Sequence, residues 1–311
     1  MTLSQLRQRI DFRLDELLPV QRDAGDLMGA AMRDGVLAPG KRTRPLMMML
    51  VGRGLGRDSA ALLDLACAVE MVHTASLFLD DMPCMDNAWL RRGRVAIHAR
   101  YGEDVAVLAA VALLSNAWCL VASAEGLAPL ARTQLMVVLC DAIGAKGLVQ
   151  GQYRDLREGA GKRSLDEIVS ANQQKTGALF SAALEMAAIA CDASGEARKA
   201  VRTAAAELGH AFQMRDDLQD GAEEAPAEAC TKDRFKDTGK STIVALLGRD
   251  EVQRRLAGHL HKAQLQLAFA MPADGQVVGL MLEAFGLPPQ VAAGATPVRH
   301  PVFQPSVSPA W

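Results

Sequence analysis

Aromatic residues are scarce in this sequence, at 4% of 311 residues, although half of the residues are hydrophobic. The apolar content therefore lies largely in Ala, Leu, Met and Val, a combination that suits closely packed helices more than sheets. No segment alternates apolar and polar residues convincingly over the length of a strand. The sequence predicts an all-α protein whose core is large enough for one big domain.

Paired cysteine motifs are also missing, since none of the six cysteines has a C-x-x-C spacing. This pattern indicates neither a disulfide framework nor a zinc site, and it is typical of a reducing compartment. The N-terminal stretch carries Asp11, Asp15 and Glu16 among its apolar residues, so it lacks the hydrophobic region of a signal peptide. We therefore expect a cytoplasmic protein.

Excess charge of either sign is absent, because the net charge is −2 and the pI is near 6.3. Without a global basic field, nucleic acid is not an expected partner. The segment 105–122 resembles a membrane span, but Ser115 and Asn116 interrupt it and no basic anchors flank it. We interpret it as a buried central helix of a bundle and expect no integral membrane segment.

Helical spacing of apolar residues defines the organisation of the chain. A first helix ends near Pro19, and the long apolar run 60–81 ends just before Pro83. Further helices are predicted at 103–124, 129–151, 164–190, 195–220 and 240–269. Residues 1–285 are expected to form one domain, and the Pro-rich segment 286–311 an irregular tail. The acidic, Pro-interrupted segment 221–232 is expected to be a loop.

Two acidic clusters end helices that are otherwise apolar. Asp80, Asp81 and Asp86 form the first, and by itself such a group is as common at a solvated helix end as in a metal site. The second places an amide and three carboxylates on one helix stripe: Gln213, Asp216, Asp217 and Asp220. Two clusters with oxygen ligands only, and no Cys or His, favour Mg²⁺ and a phosphate-bearing partner.

Basic residues stand where predicted helices start or stop. They form the groups Lys41-Arg42-x-Arg44, Arg91-Arg92-Gly93, Lys175-Thr176 and Lys232 with Lys240. Any one group would ordinarily be surface charge. Together with the carboxylates they could hold two diphosphates, one bridged by metal and one bound directly by Arg and Lys.

The run MVHTASLFLDDMPCMDNAWLRRG, with GKR upstream and QKTGALF, FQMRDDLQD and KDTGKST downstream, resembles the trans-prenyltransferase (polyprenyl diphosphate synthase) family. The likeness covers about residues 10 to 270 and is greatest to the bacterial geranylgeranyl diphosphate synthases of carotenoid pathways. It implies a single bundle of antiparallel helices around a deep apolar pocket, usually as a homodimer. It also implies an Mg²⁺-dependent enzyme that condenses isopentenyl diphosphate head to tail with allylic diphosphates (dimethylallyl, geranyl or farnesyl).

The resemblance also implies roles for individual residues. The metal ligands would be Asp80, Asp86, Asp216 and Asp220, and catalysis would further involve Asp81, Asp217 and Lys175. The isopentenyl diphosphate site would comprise Lys41, Arg42, His73 and Arg92. The allylic diphosphate site would comprise Arg91, Lys175, Thr176, Gln213, Lys232 and Lys240. Gln152 and Asp155 would form a polar patch near the metals.

Chain length would depend on Ala75, five residues before Asp80, and on Ser76. Short-chain members often have an aromatic residue at the first of these positions, so Ala75 favours a C20 product over the C15 product of a farnesyl diphosphate synthase. The same motifs could also belong to a class I terpene cyclase, which binds one diphosphate, or to an inactive subunit of a heteromeric synthase. Thr231 replaces the family's usual Gly before Lys232, and the tail lacks the family's charged C-terminal helix.

Overall fold

The computed structural model describes residues 1–19, 23, 25–158, 163–220, 242–272 and 275–284. The first seven helices are α1 (Leu3–Leu17), α2 (Leu27–Val36), α3 (Thr43–Gly54), α4 (Ala60–Asp80), α5 (Ile97–Tyr101), α6 (Glu103–Ala122) and α7 (Pro129–Ile143). The later ones are α8 (Leu148–Glu158), α9 (Leu165–Asn172), α10 (Ala178–Ala190), α11 (Gly195–Asp220), α12 (Ile243–Leu247), α13 (Arg249–Ala270) and α14 (Gly275–Ala284). A π turn, Gln173–Gly177, joins α9 to α10, and a hairpin pairs β1 (Leu90–Arg91) with β2 (Arg94–Val95). The all-α prediction is confirmed.

Local signals set where the helices begin. Thr2 and Gln5 form a capping box at the start of α1, with the Gln5 N–H donating to Thr2 Oγ1 at 3.3 Å. The Ser59 hydroxyl accepts from the Leu62 N–H at 3.2 Å and caps α4. Both helices therefore start within a residue of where their apolar period begins.

Two of the predicted long helices are broken, and the prediction of continuous helices there was wrong. The 129–151 prediction becomes α7 and α8, separated at Gly144 to Gly147. A side chain at Gly147 would lie 2.1 Å from the Ala142 carbonyl oxygen, so only Gly fits that turn. The 240–269 prediction is divided at Gly248, whose φ of 78° lies in the left-handed region. Apolar periodicity does not reveal such breaks, because it depends on the spacing of apolar residues and not on the backbone conformation of the glycines between them.

The core is centred on α3, α4 and α10. α4 packs against α3, α6 and α10, while α10 also packs against α7 and α11. Nine of the twelve residues of α3 are buried, including Met47, Met48 and Met49. Gly52 permits the close contact of α3 with α4, since a Cβ there would lie 2.1 Å from Leu62 Cδ2. The helix that ends at Asp80 is therefore buried along most of its length.

Within the described chain, α4 and α6 are long and apolar enough to cross a membrane by length and composition. α4 is a core helix, because 72% of its most apolar 18-residue stretch is buried, whereas only 33% of the corresponding stretch of α6 is buried. The sequence interpretation made α6 a buried central helix, whereas the structure buries one face only. Its opposite face exposes Val107, Leu108, Val111 and Trp118.

The packing of α11 on α13 predicts a pH dependence of stability. The rings of His210 and His259 lie 5.2 Å apart, and His259 Nδ1 lies 2.6 Å from Glu207 Oε2. Burial, and then the neighbouring His259, lower the pKa of His210. A histidine with a lowered folded-state pKa takes up a proton more readily when the chain unfolds. Its favourable contribution is therefore complete above the ordinary pKa near 6.5 and is lost as the pH falls below that value.

We expect the free energy of unfolding to rise between pH 5 and pH 7 and His210→Gln to reduce that rise. Urea titrations at successive pH values measure it. The matched control is His261→Gln, an exposed histidine on α13, which should leave the slope unchanged. An equal slope in wild type and His210→Gln would show that His210 does not contribute.

Candidate active site

The first aspartate motif folds back on the end of α4. The Asp86 N–H donates to the Asp80 carbonyl at 2.9 Å, and the Asn87 N–H donates to the Met82 carbonyl at 3.0 Å. Asn87 completes this turn with a φ of 49°, a left-handed conformation that Asn tolerates better than most residues. The loop thereby returns Asp86 to the helix end that carries Asp80.

Asp81 is more deeply buried than Asp80 and Asp86, the other two aspartates of the motif. It is 3% exposed, and Arg91 Nε donates to its two carboxylate oxygens at 3.0 and 3.1 Å. Arg91 Nη2 makes a further contact with the same carboxylate. This bidentate pair fixes the hairpin against α4. The sequence analysis gave Asp81 a catalytic role, and the structure shows it holding Arg91.

The β1–β2 hairpin presents two adjacent arginines in different directions. Its turn residues, Arg92 and Gly93, have φ values of 53° and 75°, as a tight two-residue turn of this hand requires. While Arg91 pairs with Asp81, the Arg92 guanidinium packs on the backbone of Gly40. A Cβ at Gly40 would lie 2.6 Å from Arg92 Nη1, so the glycine makes room for this contact.

Arg42 is buried and surrounded by internal acceptors. Its Nε donates to Asp11 Oδ1 at 2.7 Å and its Nη1 to Glu70 Oε1 at 2.8 Å. Its Nη2 donates to the carbonyls of Val36 and Ala38, at 2.7 and 3.1 Å. In this arrangement the guanidinium predicted to bind isopentenyl diphosphate is occupied by the protein itself. Lys41, beside it, is exposed.

Arg44 is a site residue that the sequence analysis did not assign. Its Nε is buried and has no hydrogen-bond partner. Burial lowers its pKa, opposed by the carboxylates of Glu70 and Asp216 and reinforced by the nearby charge of Arg92. Arg44 thus lies within electrostatic reach of α4, the hairpin and α11. The pattern Lys-Arg-x-Arg was the available signal, but spacing alone does not say which arginine turns inward.

His73 lies at the centre of these basic residues. Its pKa is well below the ordinary value, first because of burial and then because of four arginines, Arg44, Arg92, Arg91 and Arg42. These four residues are called the arginine cluster below. A neutral imidazole among four guanidinium groups can donate a hydrogen bond to an anion. The convergence of α3, α4 and the hairpin therefore places positive charge and a neutral imidazole together, an arrangement that could bind an anion.

The second aspartate motif divides into residues with different partners. Asp217 accepts from Gln213 Nε2 at 2.8 Å and from the Ile243 N–H at 3.1 Å, so it anchors the start of α12. Asp216 lies 3.8 Å from Arg215 and interacts with Arg44. Asp220 is the last residue of α11, and its side chain is outside the described residues, as are Lys232 and Lys240.

Lys175 and Thr176 stand on the π turn, a deformation of the helix that is frequent at functional sites. Lys175 Nζ lies 2.7 Å from Asp155 Oδ2. The turn lies directly against α8, since a Cβ at Gly151 would be 2.2 Å from the Lys175 backbone nitrogen. Thr176 and Arg44 line one small cleft with Thr43, Phe180, Gly209 and Phe212. The cleft joins the π turn to the arginine cluster.

Three other predicted positions are also placed by the structure. Ala75 is fully buried in the core, and the Ser76 hydroxyl donates to the His73 carbonyl at 2.8 Å. Gln152 is 7% exposed, and neither its amide oxygen nor its nitrogen has a hydrogen-bond partner. The geometry by itself does not assign a chain-length role to Ala75 or Ser76, so that role stays a prediction.

The described residues contain no group of three or more His, Cys, Asp or Glu side chains that could hold a metal ion by themselves. The two motifs instead offer carboxylates on separate helices, α4 and α11. This donor set fits Mg²⁺, which is commonly held by one or two carboxylates together with substrate phosphates and water. Asp80, Asp86 and Asp216 are the predicted metal ligands whose side chains lie among the described residues.

Comparison with known sequences gives a consistent result. The polyprenyl synthetase family profile matches residues 26–265. A geranylgeranyl diphosphate synthase of Pantoea ananas is 53% identical over 86% of this chain and 87% of its own. A second, from Pseudescherichia vulneris, is 48% identical over 90% of each chain. A farnesyl diphosphate synthase of Geobacillus stearothermophilus is 38% identical over 81% of this chain and 86% of its own.

Solved structures share the architecture. An FPP/GFPP synthase of Zymomonas mobilis in its apo form aligns with a TM-score of 0.79, at 31% identity over 91% of this chain and 95% of its own. A geranyltransferase of Helicobacter pylori, complexed with magnesium and isoprenyl diphosphate, aligns with a TM-score of 0.77. It is 27% identical, over 91% of this chain and 94% of its own. The sequence match over most of the chain and the shared fold together show that this protein belongs to the polyprenyl synthetase family.

Proposed function

We propose that this protein is a Mg²⁺-dependent geranylgeranyl diphosphate synthase. It condenses isopentenyl diphosphate with dimethylallyl, geranyl or farnesyl diphosphate and releases diphosphate, ending at C20. The two geranylgeranyl synthases at 53% and 48% identity support this product over the farnesyl synthase at 38%. A cytoplasmic location and a place in carotenoid synthesis remain predictions from the sequence.

The observation that carries the proposal is the pairing of an arginine cluster with aspartates on two helices. The positive charges of all four arginines act on His73. Arg44 interacts electrostatically with Asp216, and Arg91 interacts electrostatically with Asp80 and Asp86. Such a site holds one diphosphate by direct cation contacts and a second through metal and carboxylates. A terpene cyclase binds one diphosphate and would not need the arginine cluster that binds the other diphosphate directly.

Arg44 takes the place that the sequence analysis gave to Arg42. Its buried Nε lacks a protein acceptor, whereas the Arg42 guanidinium donates to four. A diphosphate oxygen would supply the acceptor that Arg44 lacks. We therefore assign Lys41, Arg44, His73 and Arg92 to isopentenyl diphosphate. On the same reasoning Arg42 holds the loop that carries them.

The allylic diphosphate is assigned to the other half of the site, with Lys175 and Thr176 on the π turn and Arg91 on the hairpin. Mg²⁺ bound there would stabilise the negative charge that forms on the diphosphate as the allylic C1–O bond breaks. Lys175 and Arg91 add positive charge at the same place. The apolar side chains of α3, α4 and α10 would exclude water from the carbocation, which the double bond of isopentenyl diphosphate then attacks. The new carbocation formed by this addition loses a proton to give the longer allylic diphosphate.

The first prediction tests the aspartates. Asp80→Ala or Asp216→Ala should lower kcat by roughly 10³ or more, equivalent to about 4 kcal/mol, because each removes a ligand from the metal side of the site. Steady-state assays with radiolabelled isopentenyl diphosphate measure the loss, and circular dichroism checks the fold. Asp15→Ala, which removes an exposed carboxylate of α1, is the matched control. Near-normal turnover in either site variant would show that the metal lies elsewhere.

The second prediction concerns chain length and separates the C20 from the C15 product. Ala75→Phe should convert a mainly C20 product to a mainly C15 one, because a bulky group at a closely packed apolar site costs about 1–3 kcal/mol. That cost changes product ratios roughly tenfold or more. Ala75→Ser, close to the native size, should retain C20. Chromatography of the dephosphorylated products decides: a C20 alcohol still dominant in Ala75→Phe, with a lowered melting temperature, would mean that Ala75 packs away from the growing chain.

The homodimer implied by the family has a candidate surface. We call it the α6–α7 face, and it comprises Val107, Leu108, Val111, Trp118, Leu130 and Val137, which are between 39% and 70% exposed. α6 and α7 pack on each other, so their exposed apolar stripes adjoin. Apolar area of this kind is typical of a surface covered by a second subunit.

The third prediction tests that surface. Val111→Glu should produce a monomer, because it places a charge in the middle of an apolar interface. Phe269→Glu changes an equally exposed apolar residue on α13 and should leave the oligomer intact. Sedimentation equilibrium measures the mass of each. A Val111→Glu protein with the mass of the wild type would place the interface elsewhere.

A further inference from the structure

Glu70 is a buried carboxylate beneath the site that has no assigned role. It is 2% exposed on α4, three residues before His73 and ten before Asp80, so the three residues share one helix face. At about 1.5 Å of rise per residue, Glu70 lies roughly 15 Å along the helix from Asp80. Glu70 is therefore at the inner end of the arginine cluster.

The Glu70 carboxylate acts on three of the four arginines. It accepts from Arg42 Nη1 at 2.8 Å, and the side chains of both partners are 2% exposed. Burial tends to lower the pKa of Arg42, Arg44 and Arg92, and the charge of Glu70 opposes this effect in all three. Buried guanidinium groups need such a counter-charge to stay together.

The same carboxylate controls the loop that leads into α3. Arg42, which Glu70 holds, donates to the carbonyls of Val36 and Ala38 on the other side of its guanidinium. Its backbone is left-handed, with a φ of 49°, at the N-cap of α3. Arg44 follows two residues later, in the first turn of that helix. A shift of Arg42 would therefore move the point from which Arg44 projects.

We propose that Glu70 is a positioning residue for the isopentenyl diphosphate site. Through Arg42 it fixes the loop before α3, and by its charge it keeps Arg44 and Arg92 assembled before the diphosphate binds. It does not touch the diphosphate, because two anions would repel each other. This inference rests on the proposed function, which assigns Arg44 and Arg92 to that diphosphate.

Removing the charge of Glu70 should change the affinity for an anion, and the direction of that change distinguishes a positioning role from simple electrostatic repulsion. A carboxylate near an anion site weakens anion binding by repulsion, so if that were its whole effect, removing the charge would tighten binding. If Glu70 positions the arginines, removing its charge weakens binding, since the cluster loses its common partner. The two accounts predict opposite changes for the same variant.

The test compares Glu70→Gln with Asp64→Asn. Glutamine keeps the size of Glu70 and removes its charge. Asp64→Asn breaks the 2.7 Å bridge from Asp64 to Arg13, which joins α4 to α1 and lies outside the cluster. The probe is inorganic pyrophosphate without Mg²⁺, which the arginines can bind unaided, and the readout is the rise in melting temperature that it causes. Because each variant is compared with its own unliganded state, a general loss of stability does not affect the result.

We expect pyrophosphate to stabilise wild type and Asp64→Asn equally and Glu70→Gln much less. In kinetics, Glu70→Gln should raise the KM for isopentenyl diphosphate roughly tenfold, with the KM for the allylic substrate nearly unchanged. Equal or greater stabilisation of Glu70→Gln by pyrophosphate overturns the positioning role. A wild type that pyrophosphate does not stabilise, and that consumes no isopentenyl diphosphate, overturns the proposed function instead.

A second variant keeps the proposal testable if Glu70→Gln does not fold. Asp11→Asn removes the other carboxylate partner of Arg42, on its half-exposed side. It should weaken pyrophosphate binding in the same direction and by a smaller factor. Unchanged binding in Asp11→Asn would mean that the position of Arg42 does not govern the site.

Discussion

The structure of the site depends on one constraint, which is that α4 carries charged and polar groups on a helix that is otherwise buried. Glu70, His73 and Asp80 lie on one face of it, while its remaining faces pack on α3, α6 and α10. Buried charges are tolerated only with compensating partners. Those partners come from the loop before α3 and from the hairpin, so segments distant in sequence are drawn to the same helix face.

Several residues at the site have a left-handed backbone conformation. Among the described residues, four other than glycine have a positive φ, and Arg42, Asn87 and Arg92 are three of them. Left-handed conformations are unfavourable for Arg, less so for Asn, and persist where surrounding contacts impose them. Here the contacts are the Arg42 hydrogen bonds, the return of the aspartate loop and the tight hairpin turn. Together with the π turn, these segments carry Arg42, Asp86, Arg92 and Lys175, all of them predicted site residues.

Arg42 and Arg44 show how strongly environment decides the role of a side chain. They are two residues apart, yet one is surrounded by protein acceptors and the other has a buried donor without one. An arginine with its donors satisfied stabilises a loop, while an arginine with an unmet donor is ready for a ligand. Asp81 and Asp217 likewise bind the protein, to Arg91 and to the start of α12, while Asp216 lies 3.8 Å from Arg215 and interacts electrostatically with Arg44.

The sequence by itself determined the helical class, the ends of α1, α4 and α11 and the family. Those features depend on apolar periodicity, local capping and residue order, which are properties of neighbouring residues. Only the tertiary structure decided that Gly248 divides a predicted helix, that α6 buries one face, and that Arg42 is surrounded by protein acceptors while the Nε of Arg44 is buried without one. The role of Glu70 could not be predicted from the sequence for the same reason. A carboxylate in a buried helix acquires its role from the arginines that folding brings to it, and spacing along the chain does not encode which of them will arrive.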